Sequence, residues 1–245
     1  MNSLILCEGK TDVILISYYL KSISGWKECK KSPSKSLDFK LKENNQYAHW
    51  YQKAKDYLLI FGVGGKDNFS NVIDEYIIKI LKENPQENSF GKIAIISDSD
   101  NDSIECIIDK HKAYLGEISP DIKVNEWTTT SFLDSFKSEL SVEILSIIIP
   151  PDKQGALETV LLDAISEDTY DKAIVECGGR FIENIKPNAE KYINSDRLTL
   201  KAHLSVVFAV MSPEKVFDFI DNLISSVEWG KYSLLKDCFE NLCDI

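Results

Sequence analysis

Three short apolar runs constrain this chain most: Leu4 to Cys7, Tyr57 to Phe61 (YLLIF) and Lys92 to Ile96 (KIAII), each followed by a stretch with helical spacing. A strand that is apolar along nearly its whole length is buried on both faces, and helices between such strands make them parallel. The first run passes through Glu8-Gly9-Lys10-Thr11-Asp12 into a helix (Val13, Ile14, Ile16, Leu20) capped by Thr11 or Asp12. The second ends at Gly62-Val63-Gly64-Gly65, after which Asp67 or Asn68 can cap a helix through Ile73, Ile77, Ile80 and Leu81. The third runs into Ser97-Asp98-Ser99-Asp100-Asn101-Asp102 and a helix over about 103–115. Ile122 to Trp127 and Val142 to Ile149 are further strand candidates, the latter closed by Pro150-Pro151.

Beyond Gly155 the pattern changes to helix after helix: 157–165, 170–185, 196–211, 213–227 and 232–242. The expected organisation is an α/β core over 1–150, a mostly parallel sheet flanked by helices, followed by a C-terminal helical region over 151–245 that packs on the core and contributes to its site. Within the core, about 25–55 reads as a lysine-rich insertion without clear periodicity.

Composition narrows the function classes. Hydrophobic residues make up 44% of the 245 residues, enough for a real core, and no apolar run approaches the ~18 residues that span a bilayer. The start, MNSLILCEGKTD, has no basic n-region, so the chain is expected to be cytoplasmic and away from membranes. Its six cysteines include no CxxC pair and its three histidines are far apart, which fits a reducing compartment and gives no zinc spacing. A net charge of −11 argues against non-specific coating of nucleic acid. The charge is uneven, however: Lys21 to Lys55 holds nine lysines against Glu28, Asp38 and Glu43, a net +6, leaving −17 elsewhere.

In an open parallel sheet, functional groups gather beyond the carboxyl ends of the strands. Glu8 follows the first strand, and Asp98 and Asp100 follow the third. A D-x-D spacing suits two carboxylates on one side of an extended chain. Singly, each acid could be a turn residue. Together, at the ends of two buried strands, they would repel unless a hard cation such as Mg²⁺ joined them.

The elements ILCEGKTD, FGVGG and IISDSDND, in that order over about residues 3–130, resemble the Toprim domain of topoisomerases, primases and OLD-type nucleases. A closer resemblance is to the stand-alone OLD-like Toprim proteins, on Asp12 four residues after Glu8, on IIPPDKQGALETVLL with Glu158, and on Lys201 in LTLKAHL. The resemblance implies a Toprim-like, Rossmann-like fold and a divalent-metal-dependent nuclease cleaving DNA or RNA, in antiphage defence or as a toxin-like effector. It implies one or two Mg²⁺ or Mn²⁺ ions, with Glu8, Asp98 and Asp100 in one site and Asp12 and Glu158 completing a second. Glu8 stands as ligand or general base, and Lys201 as the positive charge on the transition state. Gly64 and Gly65 would offer backbone amides to a phosphate, with Lys10 and Lys66 beside them. The lysine-rich segment is the expected path of the polyanion, where Tyr47, Trp50 and Trp26 could stack bases.

No ATPase cassette of the G-x-x-x-x-G-K-[ST] kind is present. The competing expectation is therefore a non-catalytic Toprim module whose helical half docks a partner such as an ATPase supplied in trans. Cleavage of a small nucleotide, or nucleotidyl transfer, would use the same metal chemistry.

Overall fold

The computed structural model describes residues 1–245 except 39–40, 42–44, 85–87, 119–120, 216–223, 225–226 and 245. In chain order its strands and helices are β1 (Asn2–Cys7), α1 (Lys10–Ser24), β2 (Lys27–Cys29), β3 (Tyr47–Lys53), β4 (Asp56–Gly62), α2 (Phe69–Val72), α3 (Lys79–Glu83), β5 (Lys92–Asp98), α4 (Ile104–Leu115), β6 (Thr128–Leu133), β7 (Glu139–Ile149), α5 (Leu157–Ile165), α6 (Thr169–Ile185), α7 (Asp196–Met211) and α8 (Ser233–Phe239). A π-helical turn, Ile73–Ile78, joins α2 to α3.

The strands form one seven-stranded sheet in the order β2-β3-β4-β1-β5-β7-β6. The four central strands are parallel, with Leu4 of β1 opposite Leu59 of β4 and Ile93 of β5. The edges are antiparallel, β2 and β3 on one side and β6 on the other. The fold is thus α/β, a mostly parallel sheet flanked by helices and followed by C-terminal helices.

Alternation along the central strands divides the core in two. Ile5, Leu58, Ile60, Ala94, Ile96 and Leu145 face α1 and the C-terminal helices. Leu4, Leu6, Leu59, Phe61, Ile93 and Ile95 face the helices between β4 and β7. Strands buried on both sides need apolar residues at every position, which is why these runs read as continuous. The C-terminal helices join the first of these cores: Leu161, Leu204, Val207, Leu235 and Phe239 all lie in it.

Several expectations change. The lysine-rich insertion contains two strands, β2 and β3, paired to the edge of the sheet. Its YAHWYQK strand mixes polar and aromatic residues because much of it is only half-buried, so it lacks the apolar run of a central strand. Lys40 and Lys42 of that insertion lie outside the described residues. Ile122 to Trp127 makes isolated bridges only (Lys123 with Glu126, Val124 with Ser146), and the strand comes after it as β6, whose TTTSFL alternates at an exposed edge. The cap of α1 is Gly9 rather than Thr11 or Asp12; Asp12 is its third residue and accepts the Gly9 N–H at 2.9 Å. The helical stretch after β4 opens with a 3-10 turn, Lys66–Asn68; Asn68 stands at the N-cap position of α2 as expected, but its side chain makes no cap bond and donates back to the Val63 carbonyl at 3.2 Å. The helix expected over 213–227 lies largely outside the described residues. No described helix is long and apolar enough to cross a membrane.

Candidate functional site

After β1 the chain lays down β2, β3 and β4 on one side of it and then crosses to β5 on the other. That reversal opens a crevice at the carboxyl ends of the strands, the place where open α/β sheets bind ligands. Glu8 leaves β1 into this crevice and is 1% exposed. Its Oε1 accepts the Asp98 N–H at 3.2 Å, so the end of β5 holds the glutamate in place. Asp98, also buried, accepts the Leu157 N–H at 2.9 Å on Oδ1, which fixes the start of α5 against the end of β5. Glu158, the next residue, is buried beside it, with Lys201 Nζ 3.9 Å from Oε1. Asp12 is turned back onto the Gly9 amide.

The loops beyond the strands are stapled to one another. Ser99 donates from its amide to the Ile149 carbonyl at 2.7 Å and from Oγ to the Gly155 carbonyl at 3.1 Å. Asp100 and Gly155 exchange backbone hydrogen bonds at 2.6 and 3.0 Å. Gly155 has φ 148°, and a Cβ there would sit 2.6 Å from Thr159 Oγ1, so only glycine serves. One residue upstream of Asp98, Ser97 Oγ is 2.8 Å from Nε2 of the buried His111, whose Nδ1 is 2.7 Å from Ser146 Oγ. With both ring nitrogens engaged by serine hydroxyls, His111 is held neutral; burial, and after it Lys110, pushes its pKa down to about 3. It locks β5, β7 and α4 together immediately beneath the acids.

Burial raises the carboxyl pKa values of Glu8, Asp12 and Asp98. Asp98 is pushed well above its ordinary range by burial and by Asp12 and Glu8. Asp12 is pushed up to about 7, first by burial and then by Glu8. Glu8 is raised by burial, with Arg197 pulling the other way. The thiol of Cys7, buried beneath the same acids, is raised well above its usual value. Arg197 is the cation at the centre: its Nη2 lies 3.3 Å from Glu8 Oε2 and 3.9 Å from Asp98 Oδ2.

Glu8, Asp12, Asp98 and Glu158 therefore come together, with Lys10, Lys201 and Arg197, around one cavity of about 510 Å³. Asp100 does not join them. Its φ of 47° breaks the extended geometry that would have put it beside Asp98, and its carboxylate pairs instead with Lys66 Nζ at 2.6 Å. These two line a neighbouring cavity of about 740 Å³, which Arg197 also borders. Among the described residues, no three carboxylate, imidazole or thiolate groups are arranged as they stand to hold a cation. The amides expected to bind phosphate are already committed: Gly64 and Gly65 both donate to the Glu8 carbonyl, at 2.9 and 2.8 Å. The glycines are needed for that turn, since Gly64 has φ 88° and a Cβ there would lie 2.8 Å from Asn45. Tyr47 does reach the acidic cavity, stacked on His49 at 4.6 Å with Lys10 Nζ 5.2 Å from its ring centroid. Trp26 is buried.

Sequence reasoning missed Arg197 and His111. A signal for Arg197 existed, because the chain has only two arginines among 28 basic residues. The other, Arg180, turns toward Cys177 on α6. His111 carried no signal, being a lone histidine between Lys110 and Lys112 on a helix.

In sequence, none of the curated proteins matches this chain. Among solved structures it is similar to the hypothetical protein PH0156 from Pyrococcus horikoshii OT3, at 17% identity and TM-score 0.48, covering 98% of this chain and 99% of that one. Fainter likenesses are to the fosfomycin resistance protein FosX from Listeria monocytogenes (14% identity, TM-score 0.18, 59% of this chain and 89% of that one) and to a lactoylglutathione lyase from Agrobacterium tumefaciens (13%, 0.18, 59% and 92%). At such levels these likenesses carry no weight for the chemistry of the site. A family model matches residues 2–219, and the chain accordingly belongs to the family described as protein of unknown function (DUF3226).

Proposed function

We propose that this chain is a divalent-metal-dependent phosphodiesterase of the Toprim kind, with nucleic acid as its substrate. One observation carries the reading: four carboxylates from three separate stretches of chain, Glu8 and Asp12 around the β1–α1 turn, Asp98 at the end of β5 and Glu158 on α5, are buried together in the crevice at the carboxyl edge of the sheet. Burying four acids is costly even with Arg197 and Lys201 beside them, and the backbone amides that Glu8, Asp12 and Asp98 accept could be met by uncharged Asn or Gln, so the negative charge itself calls for a use. Perturbed carboxyls in a cleft are the ordinary mark of a working site.

The donor set fits a hard cation, being made of oxygens only and dominated by carboxylates. Glu8 and Asp98 would hold Mg²⁺ or Mn²⁺, with Asp12 and Glu158 beside them for a second ion; Asp100 joins only if Lys66 leaves it. Bound there, the cation supplies Lewis acidity to a phosphoryl oxygen and lowers the pKa of a water. The chain's own groups do the rest. Lys201, on the rim beside Glu158, offers positive charge to the developing negative charge on phosphorus. Lys10 and Tyr47 lie along the cavity wall, where a backbone phosphate and an unstacked base of a single strand would lie.

The test is cleavage of plasmid DNA and of single-stranded DNA and RNA with Mg²⁺ or Mn²⁺ by wild type, Glu8→Gln and Asp98→Ala. Metal-dependent cleavage by wild type alone supports the reading, and equal activity in all three removes it.

A second reading, a binding module, is favoured by the outer face of α6 and α7. There Tyr170, Ile174, Phe181, Val206 and Val210 line an apolar groove of about 610 Å³, with Tyr170 79% and Phe181 50% exposed. Patches of this kind mark protein contacts. No gain in melting temperature with Mg²⁺ or Mn²⁺, together with a stable complex with an ATPase that Phe181→Asp abolishes, would favour it over the first.

A further inference from the structure

Arg197 differs from the other cations of the site in how it is held. A single nitrogen, Nη2, faces acids from two strands at once, at 3.3 and 3.9 Å. Tight charge-assisted hydrogen bonds run to about 2.7–2.9 Å, and arginine normally uses its two-pronged fork on a carboxylate. Neither condition is met. The side chain is 43% exposed, whereas its partners are 2% and 4% exposed.

The acids, by contrast, are fixed. Glu8 Oε1 is held by the Asp98 amide and Asp98 Oδ1 by the Leu157 amide. That leaves Oε2 and Oδ2, and these are the two oxygens that face Arg197. A loosely held, half-exposed guanidinium on α7 is therefore shared between two locked acids of the α/β core and offsets part of their charge. A divalent cation bonded to those oxygens at about 2.1 Å brings twice the charge and repels a guanidinium beside it.

We propose that Arg197 and a divalent cation compete for Glu8 Oε2 and Asp98 Oδ2. Cation binding releases the guanidinium into the mouth between the two cavities it borders, where it meets a phosphate of the substrate. The cation and the phosphate come from the phosphodiesterase reading, on which this rests; the competition comes from the contacts themselves. Its consequence is that the charge of the two carboxylates is partly offset before the cation binds, and that cation binding exposes a second positive group.

The experiment is calorimetric titration of Mn²⁺ into wild type and Arg197→Gln, without nucleic acid, together with NMR of wild type. The two arginine Nε–H signals are followed as Mg²⁺ is added, and Arg180→Lys assigns them. Arg197→Gln should bind Mn²⁺ about five- to tenfold more tightly, and the Arg197 signal should shift with Mg²⁺ while that of Arg180 stays. The NMR arm needs no substitution at the site, so a poorly folded Arg197→Gln does not blunt the test. Mn²⁺ binding of equal or lower affinity in Arg197→Gln, or an unmoved Arg197 signal in a protein that binds the ion, overturns the competition and leaves the phosphodiesterase reading standing. No Mn²⁺ binding by either protein overturns both.

Discussion

The two halves of the molecule contribute opposite things to one crevice. The α/β half supplies Glu8, Asp12 and Asp98, each fixed through a backbone amide, that of Asp98 for Glu8, of Gly9 for Asp12 and of Leu157 at the start of α5 for Asp98. The helical half supplies Arg197 and Lys201 from half-exposed positions on α7, and only one acid, Glu158. Carboxylates bonded to backbone amides cannot move without breaking those bonds, whereas long side chains on a helix can turn toward water at small cost. The rigid half therefore defines where charge accumulates, and the helical half sets how it is balanced.

The sharpest way to break this comparison is to remove a fixed acid. Asp98→Asn keeps an oxygen for the Leu157 amide but loses the charge, and should lower metal-dependent cleavage by about 1,000-fold, as is usual for losing a principal electrostatic group of such a site. The same variant should unfold at an equal or higher temperature, because an acid forced into a crowded, dry position is replaced by a neutral amide. Activity assays and thermal melts on one preparation test both. A large loss of stability with retained activity would mean that Asp98 is structural.

The join between the halves comes next. Leu161 on α5 is fully buried between the sheet and the C-terminal helices. Leu161→Ala should cost about 3 kcal/mol of unfolding free energy in denaturant titration. Val210, 57% exposed on α7, should tolerate alanine within about 0.5 kcal/mol. Lys201→Ala should reduce cleavage by about 30-fold while leaving the melting point nearly unchanged, its ion pair being solvent-screened at 3.9 Å. A similar loss of activity from Leu161→Ala at a temperature where it is fully folded would show that the placement of α5, rather than the Lys201 charge, limits the chemistry.

Beneath the acids, His111 sharpens the comparison through pH. Its folded pKa, about 3, lies below the ordinary 6.5. Between those values the unfolded chain binds the extra proton, so the stability that neutral His111 supports is complete above pH 6.5 and falls as pH drops toward 3. The limiting slope is about 1.4 kcal/mol per pH unit. Denaturant titrations of wild type and His111→Asn at pH 7.5, 6.5, 5.5 and 4.5 isolate it, since the neighbouring acids titrate in both proteins. The advantage of wild type should shrink with acid; a constant difference would mean that His111 is hydrated and charged.

These outcomes divide along what the sequence made legible. The central strands and helices α5 and α7 were readable because burial on two faces, or on one helical face, writes a pattern into consecutive residues. The edge strands were not, since β3 and β6 each keep a side to water and mix polar with apolar residues. Glu8 and Asp98 were legible because a position after a buried strand is fixed by topology alone. Asp100 was not, because its carboxylate is directed by one left-handed residue and by Lys66, 34 positions away. The glycine amides went wrong for a related reason: a glycine-rich turn shows that φ is unusual, not what its N–H groups meet. Arg197 reaches Glu8 across 189 residues, a distance over which no local pattern speaks.

The smallest expected effect tests whether Asp100 belongs to the acidic set or to its rim. Lys66 pairs with Asp100 at 2.6 Å, but both are accessible, and a solvent-exposed pair contributes about 0.5 kcal/mol or less to folding. Lys66→Ala should therefore leave the unfolding midpoint almost unchanged. Freed of its partner, Asp100 then becomes an additional carboxylate beside the cavity that Arg197 borders. If it serves the cation, Mn²⁺ should bind two- to threefold more tightly to Lys66→Ala, and the gain should vanish in Lys66→Ala/Asp100→Asn. If Asp100 only anchors the loop to Gly155 through its backbone, both variants should bind the ion like wild type, and the working acids reduce to the four that the crevice buries.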